Sequence, residues 1–274
     1  MNMITSRTIE VQGHRGCRGL LPENTLPAFK RAIDLGVDAL ELDVAISKDK
    51  KVIVSHEPFM SRTICLDPKM NEITKEKDKT YNLYQMTYED IKAFDCGMKH
   101  HKRFPEQEKL KAYKPTLESV FLMADTLKNK IKYNIEIKAK PGYDEIYTPQ
   151  PKEFVQLVVK TIEEYKVFKR CNLQSFDLRI LEEIKIQTPL MKVALLIDKD
   201  ESISDKLTQL SYKPEIISPF YKLLNKEIVE DYKKSGFQVI PWTVNSIPEM
   251  KKMISYNVNA IITDYPDALI RILQ

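Results

Sequence analysis

The stretch Ile9-Glu10-Val11-Gln12-Gly13-His14-Arg15-Gly16, continued by Pro22-Glu23-Asn24-Thr25, Glu41-Leu42-Asp43 and Ser55-His56, decides how the chain is organised. Residues 9–14 alternate and read as a short strand. Gly16 and Gly19 loosen the loop that follows. Asn24 or Thr25 can cap a helix that tolerates Pro27 in its first turn. Ala28, Phe29, Ala32 and Ile33 line one face of that helix, and Gly36 ends it. Val37 to Ile46 is the second strand. A strand, a crossover helix and a strand within about 35 residues form a parallel βαβ unit.

The next strand, Val52 to His56, follows too closely for a crossover, so it must fold back as an antiparallel hairpin. A turn over Lys48 to Lys51 pairs Ser47 with Val52 and, in the same register, places Asp43 opposite His56. Residues 57–115 then lose periodicity. They contain one short helix, Tyr88–Phe94, capped by Thr87 and stopped by Gly97, a polar surface loop at residues 71–79, and a basic cluster, His100-His101-Lys102-Arg103. Too few apolar residues occur there for a separate core, so the segment is expected to be an insertion over one end of the domain.

After Pro115 strands and helices alternate to the end. Apart from the hairpin arm, strands centre near residues 10, 40, 135, 173, 194, 216, 241 and 261, with helices between them. Eight such units predict an α/β fold, a (β/α)8 TIM barrel with a β-hairpin arm and an insertion after the second strand, as one catalytic domain over residues 1–274. A doubly wound sheet is the alternative. It would call for a G-x-G-x-x-G loop, and among the 7 glycines no such pattern occurs.

The 274 residues suffice for one large domain. A net charge of +4 favours an anionic small molecule slightly and does not describe a nucleic-acid surface. No run is long and apolar enough for membrane insertion, and no signal-peptide h-region is visible. A cytoplasmic protein is expected on that ground, with an exported form remaining open. The four cysteines are scattered, and free buried or half-buried thiols are expected.

In a barrel the chemistry sits at the carboxyl ends of the strands. There the sequence places His14 and Arg15, Glu41 and Asp43, Glu136 and Lys138, Ser175, Trp242 and Asp264. Glu41 and Asp43 share a strand face, as do Glu136 and Lys138. Charges on a strand buried on both sides are costly unless paired or bound to metal. Glu41, Asp43 and Glu136 suit one hard divalent ion, Mg²⁺ or Ca²⁺. Arg15 and Lys138 suit an anionic phosphate, and His14 and His56 suit proton transfer. Interior salt bridges and structural histidines are the bland alternative, and Trp242 is read about equally well as core or as site.

Taken in order, these motifs resemble the glycerophosphodiester phosphodiesterase family within the phosphatidylinositol phospholipase C-like barrels. The resemblance rests on His14-Arg15-Gly16, Pro22-Glu23-Asn24-Thr25, Glu41-Leu42-Asp43, Lys48-Asp49 and His56-Glu57. It continues through Pro115-Thr116-Leu117-Glu118, Glu136-Ile137-Lys138, Ser175-Phe176, Trp242-Thr243-Val244-Asn245 and Ile262-Thr263-Asp264-Tyr265-Pro266. It implies a metal on Glu41, Asp43 and Glu136, an acid–base pair in His14 and His56, phosphate held by Arg15 and Lys138, and glycerol packed against Trp242. The implied substrate is a small glycerophosphodiester, hydrolysed to glycerol 3-phosphate and an alcohol. Glu57 departs from the family's usual Asp, and Lys50 from a common turn glycine. A lipid-directed phospholipase on the same barrel, or a non-catalytic binding protein, are the rival readings.

Overall fold

A computed structural model describes residues 8–127 and 130–274. Its strands are β1 (Glu10–His14), β2 (Ala39–Ile46), β3 (Val52–Val54), β4 (Lys132–Ile137), β5 (Cys171–Ser175), β6 (Lys192–Ile197), β7 (Ile216–Pro219), β8 (Gln238–Val239) and β9 (Ala260–Thr263). The helices are α1 (Leu26–Leu35), α2 (Tyr88–Lys92), α3 (Leu117–Thr126), α4 (Pro151–Glu164), α5 (Leu178–Gln187), α6 (Ile203–Leu207), α7 (Lys226–Lys234), α8 (Ile247–Ser255) and α9 (Pro266–Leu273). Eight parallel strands run in the order β8-β7-β6-β5-β4-β2-β1-β9 and make a nearly closed barrel, with β3 paired to β2 outside this path. The seam between β8 and β9 is held by single bonds. Ile262 donates to the Pro241 carbonyl (3.1 Å) and Val244 to the Ile262 carbonyl (2.9 Å). Pro241 has no N–H to give, so the regular strand stops short of the Gln238–Val244 span expected from sequence.

The alternation on the strands explains the two layers. On β2, Leu40, Leu42 and Val44 face the helices, as do Tyr133, Ile135 and Ile137 on β4, and all are fully buried. Each such burial stabilises by roughly 1.5–3 kcal/mol, which offsets the cost of directing Glu41, Asp43 and Glu136 inward. A small apolar plug of Ala194, Ile216, Ile240, Ala260 and Ile262 fills part of the barrel interior. Elsewhere inside, a polar chain runs from Asn172 to Asn134 (2.6 Å) and from Asn134 to Gln12 (2.9 Å).

Helix α1 forms as its sequence dictates. The Thr25 hydroxyl caps it, Pro27 sits in its first turn, and Gly36 terminates it in the left-handed region.

Two expectations fail. The hairpin register is one residue tighter than predicted. Ile46 faces Val52 and Val44 faces Val54, with Ser47 donating to the Lys51 carbonyl. Lys50 adopts φ 59°, which closes a three-residue loop rather than a four-residue one. Ser55, not His56, therefore stands opposite Asp43, and its amide donates to the Asp43 carbonyl (2.9 Å).

The cysteine expectation holds for two of the four cysteines and fails for the other two. Cys65 and Cys96 form a disulfide spanning 31 residues, whereas Cys17 and Cys171 are free and buried. The disulfide lies inside the 57–115 segment, which gathers a cluster of its own from Met60, Ile73, Leu83, Ile91 and Phe94. That cluster is completed by Ala45 and Ile53 of the hairpin.

Candidate active site

The loop from β1 to α1 forms the floor of the site. A Cβ on Gly13 would lie 2.1 Å from the Gly16 carbonyl oxygen, so only glycine permits this fold-back. Arg15 at φ 50° and Asn24 at φ 57° occupy the left-handed region. Such conformations cost about 1–3 kcal/mol each and persist where surrounding contacts over-determine them. Those contacts are here: the Arg15 amide donates to Glu41 Oε2 (3.0 Å), and Asn24 Nδ2 donates to Asp43 Oδ2 (2.9 Å). The strain thus aims the loop at the two carboxylates of β2.

Parallel pairing sets Asp43 beside Glu136 and His14 beside Glu41. Carboxylate oxygens of Glu41, Asp43 and Glu136 all lie within 4.8 Å of one another and are buried. Arg15 Nε is 3.2 Å from Asp43, and Lys138 Nζ is 2.9 Å from Glu136 and 3.6 Å from Asp43. Burial would raise the Asp43 carboxyl, but Arg15, His56 and Lys138 outweigh it and hold it well below the usual range. Glu41 is pushed well up by burial and by the charges of Asp43 and Glu136. Burial pushes Glu136 up to about 7 despite Lys138. Among the described residues no hydrogen-bond donor reaches the buried Asp43 Oδ1. Three converging oxygens, one of them orphaned, and two carboxyls resisting ionisation form a donor set that a hard dication completes. The buried triad can hold a metal ion.

His14 Nδ1 lies 2.6 Å from Asp264 Oδ1. Arg18 donates twice to the same carboxylate (2.8 and 3.0 Å), and Asn245 Nδ2 donates once (2.7 Å). Burial would raise Asp264, but His14 and Arg18 hold it far below the ordinary carboxylate range. A carboxylate has no proton to give, so His14 carries its hydrogen on Nδ1 and leaves Nε2 as an acceptor, 3.8 Å from Glu41 Oε2. Burial pushes the imidazole down to about 4, so it is neutral at physiological pH. His56 has a similar arrangement, with Nδ1 2.9 Å from Glu57 Oε1. Its pKa is lowered by burial, then by Arg15 and Lys138. Although the register prediction failed, β3 ends at Val54 and the chain bends after it, so His56 still lines the cleft with Glu136 and Lys138. The substitution of Glu for Asp at 57 leaves the carboxylate in reach of the ring.

A cleft of about 150 Å³ is lined by both histidines, Arg15, Glu41, Glu136, Lys138 and Trp242. The Trp242 indole N–H donates to the Ser218 carbonyl (2.9 Å), and its ring packs edge-on to Phe176. The fold therefore brings together the two histidines, the three carboxylates, Arg15, Lys138 and Trp242, whereas Ser175 turns its hydroxyl to the Ile137 carbonyl (2.9 Å) and does not line the cleft.

It also adds residues to which the sequence reading assigned no part in the site. Asp264 orients His14, Glu23 binds Arg15 (2.7 Å), Asn24 binds Asp43, and Gln174 donates to Glu41 (3.0 Å). The sequence signals for Asp264 were its place at the end of a barrel strand and the Ile262-Thr263-Asp264-Tyr265-Pro266 motif. For Glu23 and Asn24 the signal was the loop motif itself. Lys114, fully buried among Glu23, Glu57 and Asp43, gave none.

The family model described as the glycerophosphoryl diester phosphodiesterase family matches residues 14–268. A glycerophosphodiester phosphodiesterase of Caldanaerobacter subterraneus subsp. tengcongensis is 34% identical over 269 residues, covering 96% of this chain and 97% of the relative. Another, from Bacillus subtilis, is 29% identical and covers 97% and 87%. The crystal structure of a Silicibacter pomeroyi protein superposes with a TM-score of 0.88 at 27% identity, covering 98% of this chain and 94% of that one. An Oleispira antarctica phosphodiesterase, solved with sn-glycerol-3-phosphate, shares the fold at a TM-score of 0.76 and 20% identity, with 96% and 95% covered. The chain belongs to the glycerophosphoryl diester phosphodiesterase family.

Proposed function

We propose that this chain hydrolyses glycerophosphodiesters to glycerol 3-phosphate and an alcohol, with His14 as general base and His56 as general acid. The whole chain would act as one catalytic unit, with the 57–115 insertion as a wall of its site. The observation that carries the reading is the pair of carboxylate-oriented histidines flanking one buried acidic triad. Each ring offers Nε2 to the cleft because Nδ1 is committed, to Asp264 in one case and to Glu57 in the other.

His14 Nε2 accepts the proton of the glycerol 2-hydroxyl as its oxygen attacks phosphorus. The bond from phosphorus to the leaving oxygen breaks, and His56 Nε2–H protonates that oxygen. Water then opens the five-membered cyclic phosphate with the two roles exchanged. The sum is diester plus water giving glycerol 3-phosphate plus alcohol. Arg15 and Lys138 hold the non-bridging oxygens. Their charge depresses His56 in the free enzyme, and a bound phosphate anion offsets that charge and favours the protonated acid. Glu41, Asp43 and Glu136 would hold one divalent ion, Mg²⁺ or Ca²⁺, which would supply Lewis-acid stabilisation of phosphoryl charge and would acidify the attacking hydroxyl. Trp242 and Phe176 would pack against glycerol.

Replacing either histidine by Ala should cost about 10²–10⁴-fold in kcat on glycerophosphocholine. Chelation followed by dialysis should abolish turnover, and a divalent ion should restore it. A double His14→Ala, His56→Ala variant with wild-type turnover would sink the acid–base scheme. Undiminished turnover after chelation would remove the metal role.

A further inference from the structure

We propose that the cavity between the insertion and the barrel mouth selects glycerophosphodiesters whose leaving alcohol carries an anionic group of its own. This rests on the phosphodiester reading above and names the substrate class of that site. The cleft of about 150 Å³ leaves little room beyond a glycerol phosphate, whereas the adjoining cavity measures about 770 Å³. Arg15, Arg18, His56 and Arg103 line both, so the two spaces meet at the histidine assigned to protonate the leaving oxygen. An alcohol departing past His56 enters the larger space.

That space is cationic. Arg15, Arg18, Arg62, Lys99, Lys102 and Arg103 line it, against Glu23, Glu57 and Glu72. The carboxylates are already engaged: Glu23 with Arg15 (2.7 Å), Glu57 with His56 (2.9 Å) and Glu72 with Lys99 (3.5 Å). Arg62 is spent on Asp78 (3.4 Å). Among the described residues Lys102 and Arg103 have no carboxylate partner, and Arg103 stands at the rim shared with the cleft.

The wall that carries these two cations is built rather than loose. Phe104 beside them is buried, with the Arg18 guanidinium 4.9 Å above its ring. Gln107 Nε2 donates to the carbonyls of Arg18 (2.6 Å) and Leu21 (3.1 Å). Two positioned cations with no anion of their own favour a carboxylate or phosphate on the leaving group. His56 also faces a second opening of about 310 Å³, lined by Pro58, Tyr143, Phe176 and Lys140. There the Lys140 ammonium rests 3.9 Å over the Tyr143 ring.

The test compares kcat/KM on two matched pairs. Glycerophosphoserine and glycerophosphoethanolamine differ by one carboxylate; glycerophosphoinositol 4-phosphate and glycerophosphoinositol differ by one phosphate. Wild type should prefer the more anionic member of at least one pair by about tenfold at low salt, and the pair preferred tells carboxylate from phosphate. A K102Q/R103Q variant should erase the preference, losing about tenfold on the anionic member and less than twofold on its partner. Both side chains are exposed, so the fold should persist, as an unchanged melting temperature would show. Equal rates within both pairs for wild type, or a preference that survives K102Q/R103Q, would overturn the proposal. So would a preference lost in K140Q instead, because the alcohol would then leave by the other opening. Failure on all four substrates would overturn the phosphodiester reading itself, whereas good turnover without discrimination would overturn the selectivity alone.

Discussion

Asp264→Asn is the substitution that separates positioning from mere packing at this site. The carboxylate takes four hydrogen bonds from three side chains: one from His14, two from Arg18 and one from Asn245. An amide of the same shape keeps one oxygen acceptor, which in the place of Oδ2 still takes Arg18 Nη2 (3.0 Å) and Asn245 Nδ2 (2.7 Å). Its NH₂ then faces His14 Nδ1, which can accept only if the ring moves its hydrogen to Nε2. That tautomer has no lone pair at the cleft. The loss should therefore approach the full general-base contribution, about 10²–10⁴-fold in kcat, with KM little changed because Asp264 does not line the cleft. Arg18 keeps Glu23 at 3.6 Å, so weakening its pairing with residue 264 should cost about 1–3 kcal/mol of stability. The assay is release of glycerol 3-phosphate from glycerophosphocholine at saturating divalent ion, alongside a thermal melt and the ¹⁵N shifts of His14. A folded variant within threefold of wild-type kcat, or one whose His14 keeps its hydrogen on Nδ1, would refute the reasoning.

Other expectations follow from single features. The Cys65–Cys96 bond closes a 31-residue loop, and in the chain-entropy view its loss should cost about 3.7 kcal/mol; a Cys65→Ser, Cys96→Ser variant should melt earlier and expose the insertion to protease before the barrel, and simultaneous cleavage of both would contradict this. Gly13→Ala forces a methyl against the Gly16 carbonyl at 2.1 Å, so it should destabilise by about 1–3 kcal/mol and misplace His14 and Arg15, read as a lower melting temperature with activity lost even in the folded fraction.

Burial lowers the Lys114 ammonium from an ordinary 10.5 to about 8. The folded state binds that proton less readily than the unfolded chain, so the group's contribution to stability rises as pH climbs from about 8 to 10.5. At 1.36 kcal/mol per pH unit the burial costs about 3 kcal/mol at neutral pH. Lys114→Met should recover part of it and flatten the rise, and urea titrations at pH 7 and 10 on both proteins would expose an unchanged slope as a contradiction.

The strand–helix–strand opening, the eight-fold alternation and the i, i+2 pairing of Glu41 with Asp43 were all legible in the sequence, because side-chain period is a local property of the backbone. The same holds for the Thr25 cap and the Gly36 stop of α1. Legibility ended where the outcome depended on how a turn closes or on what lies across the fold. Lys50 reached a left-handed conformation that side chains rarely adopt, and that one residue moved the hairpin register. Cys65 and Cys96 carried no spacing signal, because the bond depends on the insertion folding back on itself.

Asp264 shows the boundary most plainly. It lies 250 positions from His14, and its oxygen is 2.6 Å away. From local pattern the chain alone determined the barrel, its polar strand ends and which residue types could do phosphate chemistry. Only the tertiary structure decided which nitrogen of His14 faces the cleft, that the three carboxylates converge within 4.8 Å, and that Lys102 and Arg103 stand over a cavity beside His56 with no carboxylate partner among the described residues. Tautomer, ligand convergence and electrostatic complementarity depend on distances between distant segments, and those distances exist only once the barrel has closed.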